Sequence, residues 1–285
     1  MSDRSVVVMG LPGSGKTTFL AALWHLVSEG EISSKLKYES LRSGDPEHLN
    51  EIARRWREAR KQERTSVSGD KIVSMILKAE GGAPQTVTFP DLAGEAFSQM
   101  WERRECDEAV VPWLKNPGVL LFVHADKIKV PKWVIDEKLL MEEMGIEREE
   151  ENVVDWSPGV APTQVQLTDL LESMQSTALD VGPRRLAIIL SAWDKAAGRK
   201  LTPDEYLAKR MPLFSQFLKH GLDPRWEVRI YGVSAQGGDY DDDEKTKSPE
   251  ASRLRKIDLA SERIQVTYAG ADPHDLTEPL QWLLM

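Results

Sequence analysis

The segment Gly10-Leu11-Pro12-Gly13-Ser14-Gly15-Lys16-Thr17 stands between an apolar run, Ser5 to Met9, and a stretch from Thr17 to about Val27. In that stretch Phe19, Leu20, Leu23, Leu26 and Val27 recur at helical spacing. A glycine-rich turn joining a strand to an amphipathic helix confines the chain to one kind of start. Backbone N–H groups of the turn and the positive end of the helix converge on one point, which is a cradle for phosphate. The spacing is that of the phosphate loop, GxxxxGK[ST]. Gly10, Pro12, Gly13, Ser14 and Gly15 are the candidate backbone of the cradle. Lys16 is the candidate bridge between β- and γ-phosphates, and Thr17, followed by Thr18, offers a hydroxyl to Mg²⁺. An ordinary strand–turn–helix glycine loop is the plain alternative; the fixed pattern and its context together disfavour it.

Beyond this start, short β-rich runs alternate with helical patterns, the sign of a mostly parallel sheet with helices on both faces. Gly118 to His124 and Arg184 to Leu190, apolar from Val119 to Val123 and from Leu186 to Leu190, read as central strands. Lys71 to Ala79 and Gln85 to Phe89, joined by Gly81-Gly82-Ala83-Pro84, read as an antiparallel edge hairpin. Helices are expected after Asp45-Pro46, over Gln164 to Ala178 with Thr163 and Gln166 as a capping pair, after Thr202-Pro203 with a break at Pro212, and from Asp272 to Leu284. The expected architecture is a three-layer α/β/α sandwich of the P-loop type. The 285 residues fit one such domain, with an insertion over 126–162 and an acidic one over 237–262 whose first part, Gly237 to about Lys247, reads as a mobile loop.

Composition narrows the partners. Lys and Arg total 37 against 46 Asp and Glu, a net charge of −9, which disfavours a general nucleic-acid or anionic-membrane surface. The single cysteine, Cys106, cannot close an intramolecular disulfide and reads as buried and inert, and no cysteine and histidine run has zinc-ligand spacing. No apolar run nears the roughly 20 residues that span a bilayer, and Met1 to Arg4 leave no room for a signal peptide. A cytoplasmic protein is expected.

Further candidates for chemistry fall where strands end, the place at which open α/β sheets bind ligands. In Pro90-Asp91-Leu92-Ala93-Gly94-Glu95, Asp91 can hold Mg²⁺ through a water while the Gly94 N–H meets the γ-phosphate; a helix cap is the simpler role for Asp91 alone. In Ser191-Ala192-Trp193-Asp194, Asp194 can accept from the two donors on the guanine edge that adenine lacks, or merely cap the next segment. Ser234-Ala235-Gln236 can meet the guanine carbonyl through its backbone.

This succession of phosphate loop, DxxG, NKxD-like and SAK-like segments resembles the TRAFAC class of GTPases over most of the chain. More narrowly, GLPGSGKTTFLAALWH from Gly10, PDLAGE from Pro90, LSAWDK from Leu190 and DLTEPLQWLL from Asp275 are similar to the double-GTPase families of bacterial conflict and antiviral systems. The resemblance implies GTP and Mg²⁺ as ligands, and GTP hydrolysis that switches a partner. Those families pair two GTPase domains, and one phosphate loop here implies a second GTPase domain on another polypeptide or a homodimer. The departures bear on mechanism. Ala192 stands where the family has lysine along the base, which leaves Lys195 or Trp193 to cover it, Trp193 reading equally well as a core aromatic. Glu95 stands where Ras-like proteins have glutamine; a carboxylate can orient water but brings negative charge beside phosphate, so unaided turnover is expected to be slow. Glu95 as a first-turn helix residue is the rival role.

Thr65 is the best candidate for the first-switch threonine, with a plain loop role at least as fitting. Arg54, Arg57, Lys61 and Arg64 read as one basic helical face, and Arg103 or Arg104 as an arginine finger. The phosphate loop serves ATPases and small-molecule kinases equally well, although no clear lid is visible, and a non-catalytic nucleotide-binding module is a further reading.

Overall fold

The apolar runs become the middle of a sheet. The computed structural model describes residues 5–62, 72–90, 94–108, 110–131, 158–198, 200–242 and 247–285. Strands β1 (Ser5–Gly10), β4 (Pro84–Pro90), β5 (Gly118–His124), β6 (Arg185–Ser191) and β7 (Glu227–Ser234) are parallel neighbours in the order β4-β1-β5-β6-β7. Two antiparallel strands, β2 (Leu36–Ser43) and β3 (Ile72–Ala79), extend one edge outward from β4, and β8 (Gln265–Thr267) adds antiparallel to β7 at the other, for eight strands in all.

Successive side chains of a strand point to opposite faces, and both faces are covered here. Val6, Val8, Leu120, Phe122, Ala187, Ile189, Tyr231 and Val233 pack under α1 (Lys16–Glu29), α2 (Pro46–Arg57) and the last helix, Glu278–Leu284. Val7, Met9, Leu121, Val123, Ile188 and Leu190 pack under α3 (Gly94–Arg103), a short α4 (Val111–Leu114), α5 (Thr163–Met174), and α7 (Pro203–Arg210) with α8 (Pro212–His220). Between β6 and α7 lies α6 (Asp194–Ala197), and between β7 and β8 lies α9 (Pro249–Leu254); the terminal helix is α10. The architecture is the expected three-layer sandwich with its antiparallel hairpin.

Local signals account for many boundaries. Asp45 accepts the Glu47 N–H at 2.9 Å with Pro46 next in line, opening α2, and Thr202 and Glu205 form a capping box at α7. The chain breaks at Met211, where Pro212 cannot continue the ladder of α7.

Several expectations need correction. The edge hairpin has a further partner, β2, whose mostly exposed and polar residues give no burial pattern to read. Thr163 does not pair with Gln166 at the start of α5; its Oγ1 accepts the Lys129 N–H at 2.9 Å, and Gln166 Nε2 donates to Ala161 O at 3.1 Å. The terminal helix starts at Glu278 rather than Asp272, after turns in which Asp275 accepts the Thr277 N–H at 2.8 Å. The described part of the acidic loop is pinned rather than mobile: Tyr240 is buried in the core, and Asp241 exchanges backbone hydrogen bonds with Ala59 and Lys61 at 2.9 Å. Its acids have cationic partners, Asp239 with Lys195, Asp241 with Arg255 and Asp242 with Lys61. The basic face also dissolves, because α2 ends at Arg57, Arg54 is held by Glu51 and Glu58, and Arg64 lies outside the described residues. Cys106 is half-buried rather than buried, and partial desolvation raises its thiol pKa.

Candidate functional site

Five parallel strands end at one edge of the sheet, and the register aligns those ends. Gly10 lies opposite Phe122, His124 opposite Ser191, and Ser191 opposite Val233. The loop after β1 folds over this edge and closes with the Ser14 N–H on Leu11 O at 3.2 Å. Gly10 is required by space, since a Cβ there would sit 2.6 Å from Ser14 Oγ and 2.8 Å from Phe122 O. Gly13 and Gly15 turn with φ of +67° and +95°. Gly15 is the N-cap of α1 and brings no side-chain cap to the first turn, as an anion site there requires.

Within this loop, Pro12 and Gly13 are exposed, and Lys16, Thr17 and Thr18 are half-buried in the first turn of α1. Lys16 Nζ donates to Gly10 O at 2.7 Å and lies 5.9 Å from the centre of the Phe97 ring on α3. Ser14 is 4% exposed, and its Oγ has no hydrogen-bond partner among the described residues. Gly94 and Glu95 open α3; Asp91 and Thr65 lie outside the described residues. Arg104 is bound to Asp169 of α5 at 2.5 Å.

The segment after β6 meets the phosphate loop directly. Ser191 Oγ donates to Ser14 O at 2.6 Å, and a Cβ on Gly15 would sit 3.0 Å from Ser191 Oγ. Ser191 thus ties the end of β6 to the loop, a role that the sequence pattern did not single out. Ala192 then turns with φ of +52°, and Trp193 enters the core at 3% exposure, edge-on to Tyr206 with ring centroids 5.3 Å apart. It lies over Gly232 of β7, where a Cβ would come within 2.5 Å of the indole. Asp194 is half-buried at the start of α6, and Lys195 Nζ pairs with Asp239 at 2.8 Å, which raises its pKa. Ser234 is fully buried and its Oγ accepts the Gly237 N–H at 2.9 Å; Ala235 O accepts from Trp56 Nε1 at 2.7 Å, and Gln236 is half-buried. Loop, α6 and the turn after β7 therefore line the same edge.

A cleft of about 180 Å³ adjoins the loop, with Leu11, Pro12, Ser14, His124, Lys127 and Gln166 among its walls. Burial, and then the Lys127 charge, push the His124 pKa down to about 4, so the ring is neutral at pH 7. Its Nδ1 accepts the Asp126 N–H at 3.3 Å. Neither His124 nor Lys127 has a motif around it; their place at the end of β5 and in the turn directly after it is the only signal the sequence carries.

A phosphate loop between β1 and α1 of a parallel sheet, with further polar segments at the same sheet edge, defines a P-loop nucleotide-binding protein. Within that class the Double-GTPase 1 family model matches residues 7–283, and the chain belongs to that family. It is accordingly a GTP-binding protein, and its family supports GTP hydrolysis. Among solved structures, the signal recognition particle receptor SRb-GTP/SRX complex from Chaetomium thermophilum is similar at 14% identity, covering 90% of this chain and 97% of that one, with a TM-score of 0.39. The S. cerevisiae Ski7 GTPase-like domain bound to GTP is similar at 15% identity, covering 99% of this chain and 49% of that one, with a TM-score of 0.46. No curated protein matches the chain. Among the described residues, no helix is long and apolar enough to cross a membrane.

Proposed function

We propose that the chain holds GTP with Mg²⁺ across the β1–α1 loop and the Asp194 segment, and hydrolyses it slowly as a switch for a protein partner. The observation that carries the reading is the hydrogen bond from Ser191 Oγ to Ser14 O, which couples the base-reading segment to the phosphate cradle. In this reading Asp194 selects guanine, Lys195 flanks the base, and the Ser234–Gln236 turn meets the guanine carbonyl. The first-turn N–H groups of α1 and Lys16 take up phosphate charge.

Thr17 stands half-buried one residue into α1. Its hydroxyl, with the Asp91 carboxylate, makes an oxygen donor set suited to Mg²⁺. When bound there, Mg²⁺ would supply positive charge to the β- and γ-oxygens. Glu95 and Thr65 are the groups assigned to orienting the attacking water. The partner is a second GTPase domain or another copy of this chain, with the 126–162 and 237–262 segments as contact surfaces, in a bacterial defence setting suggested by the family resemblance.

Titration with labelled GTP and ATP analogues plus Mg²⁺, on wild type and Asp194→Ala, tests this. GTP is expected to win by about tenfold, roughly 1.4 kcal/mol, with the preference erased in the variant. Equal or better ATP binding would transfer the site to an ATPase or kinase.

A further inference from the structure

Lys127 ends a 3-10 turn, Ala125–Lys127, directly after β5. That turn is clamped from several sides. Tyr206 Oη donates to Ala125 O at 2.8 Å, the Lys129 N–H is held by Thr163 Oγ1, and Ala125 and Ile128 are buried. The backbone is thereby fixed while the Lys127 side chain stays exposed and lines the cleft. Its Nζ lies 3.8 Å from the position a Cβ would take on Gly13, over the middle of the phosphate loop.

Neighbouring cations are committed elsewhere. Lys129 Nζ donates to Gly159 O, Lys195 is paired with Asp239, and Arg104 is paired with Asp169. Among the described residues, no ion pair holds Lys127. A glycine at position 13 leaves no side chain between this ammonium and whatever lies in the loop.

We propose that Lys127 is a catalytic residue supplied by the chain itself, its ammonium touching the phosphate chain from above Gly13 and stabilising charge on the oxygen between the β- and γ-phosphorus atoms. The inference rests on the GTPase reading given above. In hydrolysis a water oxygen bonds to the γ-phosphorus as the bond from that phosphorus to the bridging oxygen breaks. The electron pair of the broken bond stays on GDP, and the proton released by water ends on inorganic phosphate or solvent. Negative charge therefore gathers on the bridging oxygen, where a fixed cation stabilises the transition state more than the ground state. No proton passes through Lys127 in this step. The neutral His124 beside it adds no competing positive charge at pH 7.

Single-turnover hydrolysis of preloaded GTP on the full chain, with affinity for a non-hydrolysable GTP analogue measured in parallel, tests the assignment on Lys127→Ala, Lys127→Arg and Lys129→Ala. Lys127→Ala is expected to slow hydrolysis by about 30-fold or more while affinity for a non-hydrolysable GTP analogue, in which little charge sits on the bridging oxygen, stays within about 3-fold. Lys127→Arg should recover most of the rate, and Lys129→Ala, which removes equal charge from the same cleft, should match wild type. A Lys127→Ala rate within about 3-fold of wild type, or an equal loss in Lys129→Ala, overturns the inference and leaves the GTPase reading intact. A wild-type chain that neither binds nor cleaves GTP overturns both.

Discussion

His124 shows how one residue's surroundings set its chemistry. The ring caps the turn after β5 through Nδ1, and burial is the main reason its pKa falls to about 4, with Lys127 and Lys195 lowering it further and Asp126 opposing them. In the unfolded chain its pKa returns to about 6.5. Between these values the unfolded chain holds a proton that the folded chain does not, so stability present above about pH 6.5 is lost as pH falls toward 4. His25, buried and facing Glu31, is lowered as well and acts in the same direction. Urea midpoints at pH 7, 5.5 and 4.5 should therefore decline for wild type and decline less for His124→Gln; parallel curves would show that His124 does not carry its part. Trp193 illustrates the complementary point. Its position beside Asp194 fitted a base-covering ring or a core ring, and the absence of a side chain at Gly232 gave it a place in the core.

At the scale of elements, the site is a set of joints between strand ends and loops. The joint between β6 and the β1–α1 loop is the Ser191 to Ser14 hydrogen bond, buried at both ends. Its net worth is about 1 kcal/mol, and deleting the donor also leaves a buried carbonyl unpaired. Ser191→Ala is thus expected to weaken GTP binding by roughly 5- to 10-fold while leaving the sheet intact by circular dichroism; unchanged affinity would mean that the loop holds its shape alone. The turn after β7 is built on the same plan, with Ser234 accepting from Gly237, whose φ of +76° and closeness to Arg263 O leave no room for a Cβ. The acidic run behaves as an element too. Tyr240 anchors it in the core and its described acids meet basic residues, contacts that a reading of local charge alone could not contain.

For the whole molecule, the proposed nucleotide site spans loops from three of the central strands, so in that reading ligand binding stabilises the fold rather than one segment. GTP at about 100 times its Kd should add roughly 2.7 kcal/mol, or about 5–10 °C in Tm for a chain of this size, and Lys16→Ala should abolish the shift. A wild-type Tm indifferent to GTP would place the loop outside the binding event. Much of this architecture was legible in the chain. The phosphate loop, the apolar central strands, the hairpin turn and the break at Pro212 rest on backbone chemistry and short-range periodicity, which a sequence contains in full. The exposed strand β2, the three-residue strand β8 and the late start of α10 were not legible, because their pairing and packing partners lie far away in the chain. The sequence by itself determined that this chain carries a phosphate cradle on a parallel sheet, since glycines, a lysine and a hydroxyl residue at those spacings meet its steric and electrostatic demands. The tertiary structure alone decided that Ser191 holds the cradle, that Trp193 belongs to the core, and that Lys127 stands over Gly13. Each of those depends on distances between strand ends, which exist only once the sheet has formed.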